Sequence, residues 1–127
     1  MANYLGIDYG SARVGLATAN SEAMLASPHS TVSPDKVTRV IAELKPDVIV
    51  VGLPRSLDGR ETPQTLAVRR YADDVLDGLS GALVFQDEAG TSSVATSRLK
   101  ESGRKYDRAD IDSEAAAIIL QDYLDSL

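Results

Sequence analysis

Tyr4-Leu5-Gly6-Ile7-Asp8-Tyr9-Gly10-Ser11-Ala12-Arg13-Val14-Gly15-Leu16-Ala17-Thr18 holds two short apolar runs separated by a polar break. Tyr4 to Asp8 reads as a strand that stops at a Gly-rich turn. Arg13 to Thr18 reads as its antiparallel partner. Tyr9 to Ala12 supplies the turn, with Gly10 free to take positive φ. Further along, Val48-Ile49-Val50-Val51 is an unbroken β-branched run, the pattern of a strand covered on both faces. Gly52-Leu53-Pro54 is expected to stop it, and a polar loop follows to Glu61.

Helices fill the intervals. Ser33-Pro34 offers a hydroxyl cap and a first-turn proline. Val37, Val40, Ile41 and Leu44 then recur at helical spacing, and Pro46 closes the segment. Thr62-Pro63 repeats the start signal ahead of a stripe made by Val68, Tyr71, Ala72, Val75, Leu76 and Leu79. Ala82 to Phe85 is another short strand, ending at Gln86-Asp87-Glu88. A helix is expected from about Ser92 to Ser102, then a charged loop over 103–111. The last helix is expected to begin near Asp112 or Ser113, burying Ala116, Ile119, Leu120, Tyr123, Leu124 and Leu127. A third strand near His29 to Val32 fills the remaining stretch. Helices alternating with a buried strand after a hairpin imply an α/β domain with a mixed central sheet.

The 127 residues fit one domain, 1–127. No cysteine is present, so disulfides and thiolate metal sites are excluded. No apolar run reaches the roughly 18 residues of a membrane span, and Met1 to Gly10 lacks the features of a secretory signal, so a cytoplasmic location is expected. The net charge of −6 counts against sequence-blind binding to nucleic acid, which rests on Lys and Arg.

Three acidic residues stand at element edges. Asp8 ends the first strand, Glu88 ends a later one, and Asp112 opens the last helix. Ligands of open α/β sheets gather beyond the carboxyl ends of strands. Three carboxylates without His or Cys suit a hard cation, Mg²⁺ or Mn²⁺. Such ions bind a scissile phosphate and activate water. Each residue also has a plainer reading: Asp8 as a turn former, Glu88 as a solvated strand end, Asp112 as a helix cap. Gly52-Leu53-Pro54 with Asp58-Gly59 is a turn that would also suit a phosphate cradle. Arg98, Lys100, Arg104, Lys105 and Arg108 form the densest basic stretch, which Arg55, Arg60, Arg69 and Arg70 extend only if the fold gathers them. His29, the lone histidine, has no partners for a nucleophilic triad.

Several of these segments together resemble the YqgF family, also called RuvX. Gly6 to Ala17 is similar to its opening hairpin. Val50-Val51-Gly52-Leu53-Pro54 with Asp58-Gly59 resembles its central strand and loop. Asp87-Glu88 followed by Thr91-Ser92 and Ala95 is similar to its acidic strand end, and Asp112 to Gln121 to its final helix. The resemblance implies a ribonuclease H-like fold related to the RuvC resolvases. It implies a cytoplasmic nuclease maturing the 5′ end of pre-16S ribosomal RNA, with Asp8, Glu88 and Asp112 as metal-binding and catalytic carboxylates and Asp110 as a weaker candidate. A DNA junction nuclease and a non-catalytic RNA-binding assembly module are the alternatives. An actin-like phosphotransferase, suggested by the hairpin alone, would need a second lobe that 127 residues do not supply. One departure stands out. Ala89 and Gly90 occupy positions where the family usually has an Arg and an apolar residue, so a guanidinium that would grip phosphate is missing there.

Overall fold

The computed structural model describes residues 1–88 and 91–127. The departure read at Ala89 and Gly90 lies outside the described residues. The strands are β1 (Asn3–Tyr9), β2 (Val14–Asn20), β3 (Ser27–Val32), β4 (Val48–Pro54) and β5 (Ala82–Glu88). They form one sheet in the order β3-β2-β1-β4-β5. β1 and β2 pair antiparallel with Asp8 opposite Gly15, and β3 runs antiparallel to β2. β4 runs parallel to β1, and β5 runs parallel to β4. The sheet is therefore mixed, as the alternation of elements implied. The helices are α1 (Val37–Leu44), α2 (Pro63–Tyr71), α3 (Thr91–Ser102) and α4 (Arg108–Asp125).

Alternation along the strands divides the apolar residues between two faces. Leu5, Ile7, Ile49, Val51 and Leu53 pack with Val37 and Ile41 of α1 and Val68 and Tyr71 of α2. Ala17 and Val50 point the other way, onto Ala116, Ile119, Leu120 and Leu124 of α4. α3 rests on α4 through Ala95, Ala115 and Ile118. Full burial of each large aliphatic side chain stabilises the fold by roughly 1.5–3 kcal/mol. Five consecutive residues of β4, Ile49 to Leu53, are buried, and the first three of them belong to the β-branched run.

Several sequence expectations are corrected. β4 does not stop at Gly52 but continues to Pro54, because β5 runs beside it until Pro54 meets Glu88. Ser33 does not cap a helix. Its hydroxyl bonds the Asp35 carboxylate, Pro34 to Lys36 form a single 3₁₀ turn, and α1 starts only at Val37. Leu79 is not part of the buried stripe. The helix widens into a π turn over Ala72–Leu76, Gly78 takes φ +81°, and Leu79 is left exposed. Leu127 lies past the end of α4 and is also exposed. Gly10 is not left-handed. Its N–H donates to the Arg13 carbonyl at 2.9 Å, and a side chain there would collide with that oxygen. Thr62, by contrast, caps α2 as read, in a reciprocal pair with Thr65.

The largest correction concerns α4. It starts at Arg108, inside the segment read as loop, and Asp112 is not its cap. Asp107 is. Its carboxylate accepts from the Asp110 N–H at 3.0 Å, while the Asp110 carboxylate accepts from the Asp107 N–H at 3.0 Å. Asp107→Ala leaves the Asp110 N–H to water and should cost about 1 kcal/mol. A urea midpoint unchanged in the variant would refute that assignment.

Candidate active site

The parallel strands β1, β4 and β5 all end at the same edge of the sheet. Period-two alternation puts Gly6, Asp8, Gly52, Pro54 and Glu88 on the face that α4 covers. Gly6 confirms the face, since a Cβ built there would lie 2.7 Å from Cβ of Leu120. Asp87 consequently points to the opposite face, where its carboxylate accepts from Nε of Arg55 at 2.9 Å. Asp112, in the second turn of α4, comes down over β2.

Two glycines make this arrangement possible. Gly15 stands opposite Asp8 in the hairpin, and its hypothetical Cβ would fall 2.0 Å from the backbone oxygen of Asp112. α4 can approach β2 this closely only because no side chain is there. On the other flank Gly52 leaves space that Glu88 uses, with Cγ of Glu88 3.4 Å from where a Cβ would be. Glu88 thus leans over β4 toward β1. Asp8 has no bulky neighbour on either side.

Asp8, Glu88 and Asp112 line one open cleft of about 420 Å³, together with Tyr9 to Arg13, Pro54 and Gln64. The Asp8 carboxyl is pushed up to about 7, first by burial, then by the negative charges of Glu88 and Asp112. It accepts no hydrogen bond from any described residue. An ionised Asp8 is therefore poorly compensated, a condition a cation would relieve. The donor set is all carboxylate oxygen, as a hard cation requires. Among the described residues, however, no three such groups sit close enough to share one ion. Asp112 is drawn aside by Arg13, whose Nε lies 2.5 Å from its carboxylate.

Other candidates fall away from this cleft. Asp110 is engaged in the α4 cap and faces a small separate hollow with Leu99 and Tyr106. In the loop after β4 the N–H groups of Ser56, Gly59 and Arg60 are bonded within the loop. Arg55, Arg60 and Arg69 pair with Asp87, Asp58 and Glu61, so they form no common basic rim. Arg98 lies 3.6 Å from Glu114. His29 is an exposed strand residue bonded to Ser30. Four tyrosines form two pairs, Tyr9 stacked on Tyr71 and Tyr4 against Tyr123. Sequence reasoning missed Arg13 and Gln64 as cleft residues. Arg13 stands five residues after Asp8 across a hairpin turn, a spacing that returns it to the same sheet edge. Gln64 carries no comparable signal; it reaches the cleft because α2 places its amide 3.3 Å from the Tyr9 carbonyl.

Residues 2–126 match the family described as RuvX: Holliday junction resolvase. A Streptomyces coelicolor protein named "Putative pre-16S rRNA nuclease" is 38% identical over 96% of this chain and 79% of its own length. A Fusobacterium nucleatum protein of the same name is 36% identical over 98% of both chains. Among solved structures, Thermus thermophilus RuvC in complex with a Holliday junction substrate superposes with a TM-score of 0.56. It is 16% identical and covers 99% of this chain and 95% of that one. The fold is accordingly ribonuclease H-like, as the sequence resemblance implied. No helix among the described residues is long and apolar enough to cross a membrane.

Proposed function

The chain belongs to the RuvX family, and from that premise we propose that it is a metal-dependent endonuclease acting on pre-16S ribosomal RNA in the cytoplasm. The observation that carries this reading is the convergence of Asp8, Glu88 and Asp112, from three separate elements, on one cleft at the ends of parallel strands. Relatives named for pre-16S rRNA and a family described as junction resolvases support a phosphodiester as the bond broken.

Asp8 and Glu88 are the residues that would hold Mg²⁺ or Mn²⁺, with Asp112 completing the site or orienting water. Bound there, such an ion supplies charge neutralisation for the phosphate and lowers the pKa of water. The protein's part is positional. Gly15 and Gly52 bring the carboxylates within one cleft, and burial beside two other carboxylates leaves an ionised Asp8 in need of a countercharge.

The test is cleavage of a 5′-extended 16S precursor RNA by purified protein with Mg²⁺ or Mn²⁺, with EDTA and Asp8→Asn as controls. Metal-dependent cleavage lost in the variant is expected. Undiminished cleavage by Asp8→Asn would sink the reading. The family description also supports a four-way DNA junction as substrate. Symmetric resolution would require two active sites, hence a dimer. Junction cleavage by a dimer, with precursor RNA left intact, would decide for that alternative.

A pH dependence follows from the raised Asp8 carboxyl. Below about pH 7 the proton and the metal compete for the same oxygen atoms. Apparent Mn²⁺ affinity should fall about tenfold per pH unit between pH 6.5 and 5, as loss of one proton per ion demands. Titration calorimetry at several pH values measures this. A flat profile over that interval would show that Asp8 is not a ligand.

A further inference from the structure

Arg13 is the one cationic side chain lining the cleft among the described residues. It leaves the β1–β2 turn and reaches the second turn of α4, 99 residues away in sequence. Nε is bonded to the Asp112 carboxylate at 2.5 Å. The two terminal guanidinium nitrogens bond no described residue, and the side chain is 41% exposed. A guanidinium has five donors in a planar fork. Here one edge is anchored and the opposite edge is free in an open, polar cavity. Arg55, also near the edge, does not offer this, because its Nε and one terminal nitrogen are occupied by Asp87 and the Gly59 carbonyl.

We propose that Arg13 is a substrate-binding residue whose free guanidinium edge takes a phosphate oxygen of the RNA strand lying in the cleft. This inference rests on the nuclease reading and adds to it the group that grips the backbone. The cleft otherwise presents carboxylates, which repel a phosphodiester. A fixed cation beside them makes the approach of a polyanion favourable before chemistry. The anchor on Asp112 pre-orients the fork, so little side-chain freedom is lost on binding. Position 89, where the family usually has an Arg, carries an uncharged Ala in this chain. Arg13 supplies a guanidinium from the β1–β2 turn.

The experiment is binding of fluorescently labelled 5′-extended 16S precursor RNA in EDTA, where no cleavage occurs, across a salt series. It uses the wild type, Arg13→Gln and Arg13→Lys. Arg13→Lys retains an ion pair with Asp112 through its single nitrogen and so keeps α4 tied to the hairpin. It has no second edge to offer. Both variants are expected to bind about tenfold more weakly than wild type, the size of one charge-assisted contact. In Arg13→Gln the slope of log affinity against log salt should fall by about one phosphate contact. A purely structural Arg13 would instead lower the melting temperature of Arg13→Gln and leave RNA affinity and salt slope unchanged in folded Arg13→Lys. That result overturns the inference alone if the wild type still cleaves RNA in an Asp8-dependent way. A wild type that neither binds nor cleaves the RNA overturns both readings.

Discussion

Replacing Asp8 by Asn is expected to lower metal-dependent cleavage by about 10³-fold, as loss of a charged group acting directly on the reacting centre does, and to stabilise the metal-free protein above pH 7. The second effect follows from the carboxyl's displacement from 3.8 to about 7. Between those values the folded protein holds a proton that the unfolded chain releases. Stability therefore falls as pH rises through that interval and stays low above it. The destabilisation at pH 8 is on the order of 4 kcal/mol when the whole displacement is counted. Asn carries no charge and removes most of it. At pH 4, where Asp8 is protonated in the folded state, the two proteins should melt alike. Thermal melts in EDTA at pH 4 and pH 8, beside the cleavage assay, separate the outcomes. Equal melting temperatures at both pH values would mean that Asp8 does not bear the burial and repulsion described.

Gly15→Ala should be among the most damaging single substitutions in the chain. Its methyl group would fall 2.0 Å from the Asp112 backbone oxygen and 2.3 Å from its carbonyl carbon, both main-chain atoms that no rotamer change can move aside. α4 must lift from β2, opening the cluster of Ala17, Ala116 and Leu120. Overpacking of this kind costs about 3 kcal/mol or more when backbone has to shift. Because Asp112 sits at the collision, cleavage should fall as well, even at temperatures where the variant remains folded. Denaturant unfolding gives the first quantity and the RNA assay the second. A stability within 1 kcal/mol of wild type, the scale of an ordinary surface change, would show that α4 does not lie where it is described.

Much of this was legible in the sequence, for reasons that differ by element. The hairpin reads out because two apolar runs flank a short polar turn, so local patterning suffices. β4 reads out because its neighbours bury both faces, leaving no polar residue in Val48 to Val51. The start of α4 did not read out. Asp107, Asp110 and Asp112 are all acceptable caps within one polar stretch, and the reciprocal pair that caps the helix has Asp110 at the position where Glu or Gln is the usual signal. Leu79 and Leu127 continue a helical stripe in sequence but lie past the point where the helix has ended. For the cleft, each acidic strand end was visible on its own. That Asp8 and Glu88 share a face depends on the register of β1, β4 and β5, which no local pattern encodes. The pairing of Arg13 with Asp112 was invisible for the same reason.

The cleft also has a history in time. β1 is complete once Tyr9 is made, yet its partner β4 begins at Val48, Glu88 arrives later still, and Asp112 rides on the final helix. Until that helix has been synthesised and docked, Ala17 and Val50 face outward and the cluster lacks a member. The three carboxylates therefore cannot share a cleft before α4 is made. The cleft takes its full lining only when α4 closes over the sheet.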